Sequence, residues 1–124
     1  MIEALGQVAL TVRDVERSVA FYRDAVGLRF LFAPAPTLAF LDLAGTRLML
    51  SATEGDFSPG SGIVLYLKVA DIDATHARMS ERGVAFIDAP HLIARMPDHD
   101  LWMCFFRDPD AYTLALMCEK RDAS

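Results

Sequence analysis

The sequence has no run of lysine or arginine, only two cysteines and no long uninterrupted apolar segment, and each shortage removes a class of protein. Twelve basic against seventeen acidic residues give a formal net charge of -5, so the electrostatic footprint of a nucleic-acid surface is missing. DNA and RNA are not expected partners. Cys104 and Cys118 lie in apolar segments without CxxC spacing or a paired histidine motif, which leaves a zinc knuckle or dithiol redox site without support. Buried structural thiols are expected instead. No window approaches the ~18 continuous apolar residues of a membrane span. Met1-Ile2-Glu3 also lacks the charged start and apolar core of a secretion signal. The expectation is a soluble cytoplasmic protein with no membrane partner.

What is present is apolar: 53 % of the 124 residues are hydrophobic and 10 % aromatic, which excludes a disordered chain. One domain of this length removes roughly 65 to 70 % of its unfolded-state surface from water. Surplus apolar surface is then available for burial between subunits.

The chain is written twice. Val12-Arg13-Asp14-Val15 recurs 57 residues later as Val69-Ala70-Asp71-Ile72, with Leu10 on Leu67, Val19 on His76 and Tyr22 on Met79. Each copy reads as an apolar strand, an Asp able to accept from the first helical N–H groups, an amphipathic helix and a stopping Gly (Gly27, Gly83). The buried stripes are Val15, Val19, Tyr22, Val26 in the first helix and Ile72, His76, Met79 in the second. His76 reads as a half-buried, hydrogen-bonded structural residue. The end of each copy repeats at an offset of 66, with Asp42 on Asp108, Leu48 on Leu114 and Leu50 on Leu116. The difference places nine extra residues around His91 to His99.

Strands are expected over 4–12, 28–33, 38–43 and 46–52, then 63–69, 91–96, 100–106 and 113–119, with a short extended piece over 84–89 before Pro90. Pro34 and Pro36 should end the second of these, since proline cannot donate to a sheet ladder. Residues 53–62, TEGDFSPGSG, read as a linker, with Phe57 either a lid over a pocket or an exposed or subunit-packed ring. The organisation is one α+β domain over 1–124, made of module 1 (4–52), the linker and module 2 (63–119). A duplication of this kind predicts two curled mixed sheets around a cleft.

The segments VALTVRDVERSVAFYRDAVGLRF, LKVADIDATHARMSERGVAF and FFRDPDAYTLALM resemble the vicinal oxygen chelate superfamily, which contains glyoxalase I, extradiol dioxygenases and bleomycin-binding proteins. The resemblance implies paired βαβββ modules, frequently a homodimer, and in the enzymes a divalent metal on the sheet. Carried over residue by residue, the metal-ligand positions fall on Gln7, Met49, Val64 and Ala115. Zinc, iron and manganese sites need imidazole, carboxylate or amide donors. Here only Gln7 offers oxygen or nitrogen, so no metal and no cofactor is expected. Many relatives also have Gly after the closing Asp-Pro-Asp, where this chain has Ala111, and Ala tolerates positive φ poorly.

Strand alternation gives a largely apolar ligand face carrying Gln7, Arg47, Met49, Ser51, Val64, Tyr66 and Ala115, with Trp102 beside it and no acidic residue. Such a face suits a small apolar or aromatic ligand. The extra segment PHLIARMPDHDLW holds His91, Arg95, His99 and Trp102, and His91 is the candidate for catalysis because imidazole titrates near neutral pH. Three functions stay open: a metal-free small-molecule-binding protein, a lyase, isomerase or dioxygenase using His91 or a relocated metal, and a structural or regulatory dimer with a filled cleft.

Overall fold

The computed structural model describes residues 1–53, 55 and 63–121. Most of the expected linker, and Phe57 with it, lies outside the described residues. The chain divides into two compact units, Met1–Pro59 and Gly60–Ser124.

In the first unit, strand β1 (Gln7–Val12) alternates as predicted, with Leu10 and Val12 buried and Gln7, Ala9 and Thr11 exposed. The Asp14 carboxylate accepts from the Arg17 N–H at 3.1 Å and opens helix α1 (Val15–Ala20). The helix continues in the wider π geometry through Phe21–Val26 and stops at Gly27, φ +95°. Val15, Val19 and Tyr22 are buried as expected, while Ala25 rather than Val26 completes the stripe. Strands β2 (Arg29–Ala35), β3 (Leu38–Leu43) and β4 (Thr46–Ala52) finish a sheet of order β1-β4-β3-β2, with β1 parallel to β4.

Pro34 does not end β2. The strand runs on to Ala35 because it is the sheet edge, where a missing N–H costs no ladder bond, and its register slips between Phe32 and Ala35. The β3–β4 turn has positive φ at both Ala44 (49°) and Gly45 (101°), the geometry of a type I′ hairpin. Asp42 secures it by accepting the Gly45 N–H at 3.0 Å.

The second unit repeats this order as β5-β8-β7-β6: β5 (Leu65–Lys68), helix α2 (Ile72–Glu81), β6 (His91–Arg95), β7 (Asp100–Arg107) and β8 (Thr113–Lys120). Asp71 caps α2 through the Ala74 N–H at 3.1 Å, and Ile72, Met79, Phe106, Leu114 and Leu116 are all but fully buried. Residues 84–89, expected as a short extended piece, form no full strand. They make one isolated bridge, Phe86 with Phe106. The Ile87 N–H then donates to the Phe105 carbonyl, and the Asp88 carboxylate takes the next ladder position by accepting the Phe105 N–H at 2.7 Å. His76 is half-buried and packs on Phe86, ring centroids 4.2 Å apart.

The last turn is built on Asp108, whose Oδ1 accepts the N–H groups of Asp110 and Tyr112, each at 2.9 Å. Ala111 adopts φ +68° there. The turn keeps its shape without glycine, at the cost of a left-handed alanine.

Candidate functional site

Cross-strand register decides which side chains share the sheet face turned away from each helix. In the first unit one row is Gln7, Arg47 and Asp42, and the next is Ala9, Met49, Phe40 and Phe32. Thr11, Ser51 and Leu38 form a third. The Gln7 amide donates to the Met49 sulfur at 3.7 Å, Phe32 stacks on Phe40 with centroids 4.8 Å apart, and the Arg47 guanidinium lies 5.6 Å from the Phe40 ring centre. Four of the expected ligand-face residues, Gln7, Arg47, Met49 and Ser51, are thus brought onto one face, joined by two aromatic rings.

In the second unit the central row is Tyr66, Ala115 and Phe105. Strands on either side of β8 stand roughly 9.6 Å apart, yet the Tyr66 and Phe105 ring centroids are 6.3 Å apart, edge to face. The two rings therefore lean toward each other across Ala115, which is 0 % exposed. The neighbouring row is Lys68, Met117, Met103 and His91. Val64, half-buried, immediately precedes β5.

Trp102 requires a correction. It pairs with Cys118 and Leu92, on the helix-side face and away from Tyr66 and Ala115, and its ring carries the Lys120 ammonium at 4.2 Å. The facing of β7 is set by its unbroken pairing with β8, from Asp100 with Lys120 to Arg107 with Thr113. A one-residue slip reverses every side chain in a strand. Phe105 and Met103 occupy the face instead, and strand alternation alone gave no parity for them.

His91 does stand on that face, on edge strand β6. Its Nδ1 is 2.9 Å from the Ala89 carbonyl and 3.7 Å from Asp88 Oδ2. A carbonyl only accepts, so Nδ1 carries a proton, and in the neutral ring Nε2 is the acceptor. The arrangement suits proton abstraction or hydrogen-bond acceptance at Nε2. At the rim of the face Lys68 bonds Glu119 at 2.8 Å, which holds that carboxyl below its ordinary range. His99 does not join His91: it sits between Asp98 (2.7 Å) and Glu119 (3.8 Å).

A polar cavity of about 510 Å3 lies at the β6–β7 turn, lined by Arg95, Asp98, Asp100, Lys120 and Arg121 among others. Its cations are already engaged, Arg95 by Asp100 at 3.5 Å, Lys120 by Asp73 at 2.9 Å and Arg121 by Glu119 at 3.1 Å. An anion would have to displace a carboxylate.

The residues at the four inferred ligand positions do not fit a divalent metal. Val64 and Ala115 have no donor, the Met49 thioether is soft, and the Gln7 amide nitrogen is turned onto that sulfur. Among the described residues no group of three His, Cys, Asp or Glu side chains is arranged to hold a metal ion. Cys104 and Cys118 are buried free thiols; desolvation pushes Cys104 up to about 11, and Cys118 donates to the Ala70 carbonyl at 3.4 Å. No described helix is long and apolar enough to cross a membrane.

Three comparisons agree with this architecture. The profile of the Glyoxalase/Bleomycin resistance protein/Dioxygenase superfamily matches residues 4–116. The uncharacterized protein YraH of Bacillus subtilis (strain 168) is 30 % identical over 122 residues, covering 86 % of this chain and 91 % of its own. Among solved structures, TnmS3, an antibiotic binding protein from Streptomyces sp. CB03234, superposes with a TM-score of 0.75 at 30 % identity, covering 96 % of this chain and 98 % of that one. A superfamily member from Sphaerobacter thermophilus DSM 20745 gives 0.75 at 25 %, covering 95 % and 98 %.

Proposed function

Since the chain belongs to the Glyoxalase/Bleomycin resistance protein/Dioxygenase superfamily, we propose that it is a binding protein for a small, planar, largely apolar molecule and works without a metal ion. The observation that carries this reading is the row Tyr66, Ala115 and Phe105, where an inferred metal-ligand position is an alanine covered by two rings. Aromatic faces recognise flat ligands by stacking and edge contacts worth about 0.5–1.5 kcal/mol per ring pair beyond area burial. The row Ala9, Met49, Phe40 and Phe32 offers a second such surface, with Gln7, Arg47 and Ser51 as polar points. Methionine adapts to irregular apolar shapes, and Met49, Met103 and Met117 all stand on these faces. That TnmS3 is an antibiotic binding protein supports ligand binding as a use of this fold.

Native mass spectrometry with elemental analysis of the purified protein tests the reading. The expected result is an organic adduct at substoichiometric metal; one tightly held metal per chain together with turnover would overturn it.

A second reading is favoured by His91, which shares a row with Met103 and Met117 and whose Nδ1 is held by the Ala89 carbonyl. On this reading His91 moves a proton on a bound carbon acid or enol. His91→Ala then abolishes turnover and leaves binding intact, whereas loss of binding alone supports the first reading. Exposed Leu92, Ile93 and Met96 along edge strand β6 and the turn after it support self-association as a homodimer, which sedimentation equilibrium measures.

A further inference from the structure

On the helix side of the first unit, α1 and edge strand β2 leave a groove of about 400 Å3. Val15, Val19, Phe30 and Ala39 line it, together with the charged Glu16 and Arg23. Arg23 is neutralised next door, its Nε and a terminal nitrogen holding Asp24 at 2.8 and 3.0 Å. Glu16 makes no ion pair or hydrogen bond among the described residues. Glu16 is exposed and needs no partner, but at the mouth of an apolar groove its carboxylate gives a local negative potential that favours a positive charge.

The duplication supplies the control. Glu16 corresponds to Asp73 at the offset of 57. In the second unit that carboxylate receives the Lys120 ammonium at 2.9 Å, and the same nitrogen lies 4.2 Å over the Trp102 ring. Trp102 pairs with Cys118, and the matching neighbours in the first unit are Thr37 and Ala52, whose N–H donates to the Thr37 carbonyl. Lys120 falls on Glu54 at the offset of 66. The second unit thus supplies its own indole and its own alkylammonium at this corner; the first has a threonine for the indole and an acid in the lysine's place in sequence.

We propose that the groove binds a small amphipathic amine, with its hydrocarbon or aryl body against Val15, Val19 and Phe30 and its ammonium on Glu16, as Lys120 sits on Asp73. This site is on the opposite side of the first unit's sheet from Met49 and Phe40, so it stands independently of the function proposed above.

An NMR titration of the full chain with n-hexylammonium, and with n-hexanol as the uncharged molecule of like shape, tests it. Saturable amide shifts are expected within residues 15–23 and 30–39. The amine should bind about fivefold more tightly than the alcohol at low salt, as for a partly exposed ion pair, and the advantage should shrink at about 0.5 M salt. Glu16→Gln should remove that preference while leaving alcohol binding unchanged. Ala35→Leu, which narrows the groove, should abolish both in a protein whose dispersed spectrum shows it folded. Equal binding of amine and alcohol to the unsubstituted protein, shifts centred elsewhere, or no saturable shift to about 20 mM would overturn the proposal.

Discussion

Replacing Ala111 with glycine should stabilise this protein. Ala111 is held at φ +68°, where an L side chain meets the following carbonyl at a cost of about 1–2 kcal/mol. Glycine removes that cost but brings roughly 0.4–1 kcal/mol of extra freedom to the unfolded chain. The difference is a net gain of ~0.5–1 kcal/mol. Across 124 residues an unfolding entropy near 2.1 cal/mol/K per residue converts this to a rise in Tm of roughly 2–4 °C. Ala44, at φ 49° in the β3–β4 turn, offers a second site of the same kind, and the two gains should add because the turns share no partner. Ala9→Gly is the control: it lies on the exposed face of β1, where glycine costs about 0.5–1 kcal/mol. Thermal unfolding by circular dichroism reads all three. If Ala111→Gly lowers Tm as Ala9→Gly does, the strain assigned to the turn is absent and the reasoning fails.

Three further outcomes are expected. Tyr66→Ala should cut occupancy of a co-purified ligand in native mass spectrometry about tenfold by removing one ring of the aromatic row, whereas Trp102→Phe should leave it unchanged; the reverse pattern would place the ligand on the helix side. The Glu119 carboxyl is lowered chiefly by its hydrogen bond from Lys68, so its contribution is present above the unfolded value near 4.3 and is lost as pH falls through the folded one. The Tm gap between the unsubstituted protein and Lys68→Met should therefore be widest near neutrality and close in acid, and a gap that does not change with pH would refute the assignment. Cys104, pushed up to about 11 by burial, stays protonated when the unfolded thiol ionises near 8.5, so stability should decline from about pH 8.5 upward. A thiol reagent at pH 8 should label neither cysteine until the protein is denatured, and rapid labelling of the native protein would contradict the burial.

What was legible in the sequence is what local chemistry determines. Asp14 and Asp71 cap helices because their carboxylates reach backbone N–H groups within the same turn, and the offset repeats mark the duplication without reference to any distant contact. The faces of β1 and β4 followed from alternation, whereas in β8 Leu114, Ala115 and Leu116 are all apolar and all buried, and the facing came from the repeat. The fate of Pro34 could not be read, because being an edge is a property of the assembled sheet. Nor could the facing of Trp102, which follows from the register of β7 on β8 around the Asp108 turn. Asp88 standing in for a ladder partner of Phe105 was equally hidden, for the spacing of the two residues carries no periodic signal. At the candidate site, positions inherited from the repeat and the Tyr66 ring were recoverable, and the Phe105 ring beside it was not.

The closure of Tyr66 and Phe105 over Ala115 also acts as a ratchet. A histidine or glutamate introduced at 115, where the alanine is 0 % exposed, would have to push Phe105 or the half-exposed Tyr66 ring aside, and overpacking costs ~1–3 kcal/mol. A ring must shrink before a donor can arrive, yet losing the ring first forfeits the aromatic contact while no donor is there to replace it. Each single step is unfavourable in either order. A lineage that has reached this packing is therefore held away from a donor at that position by two neighbours, rather than by the one residue that was exchanged.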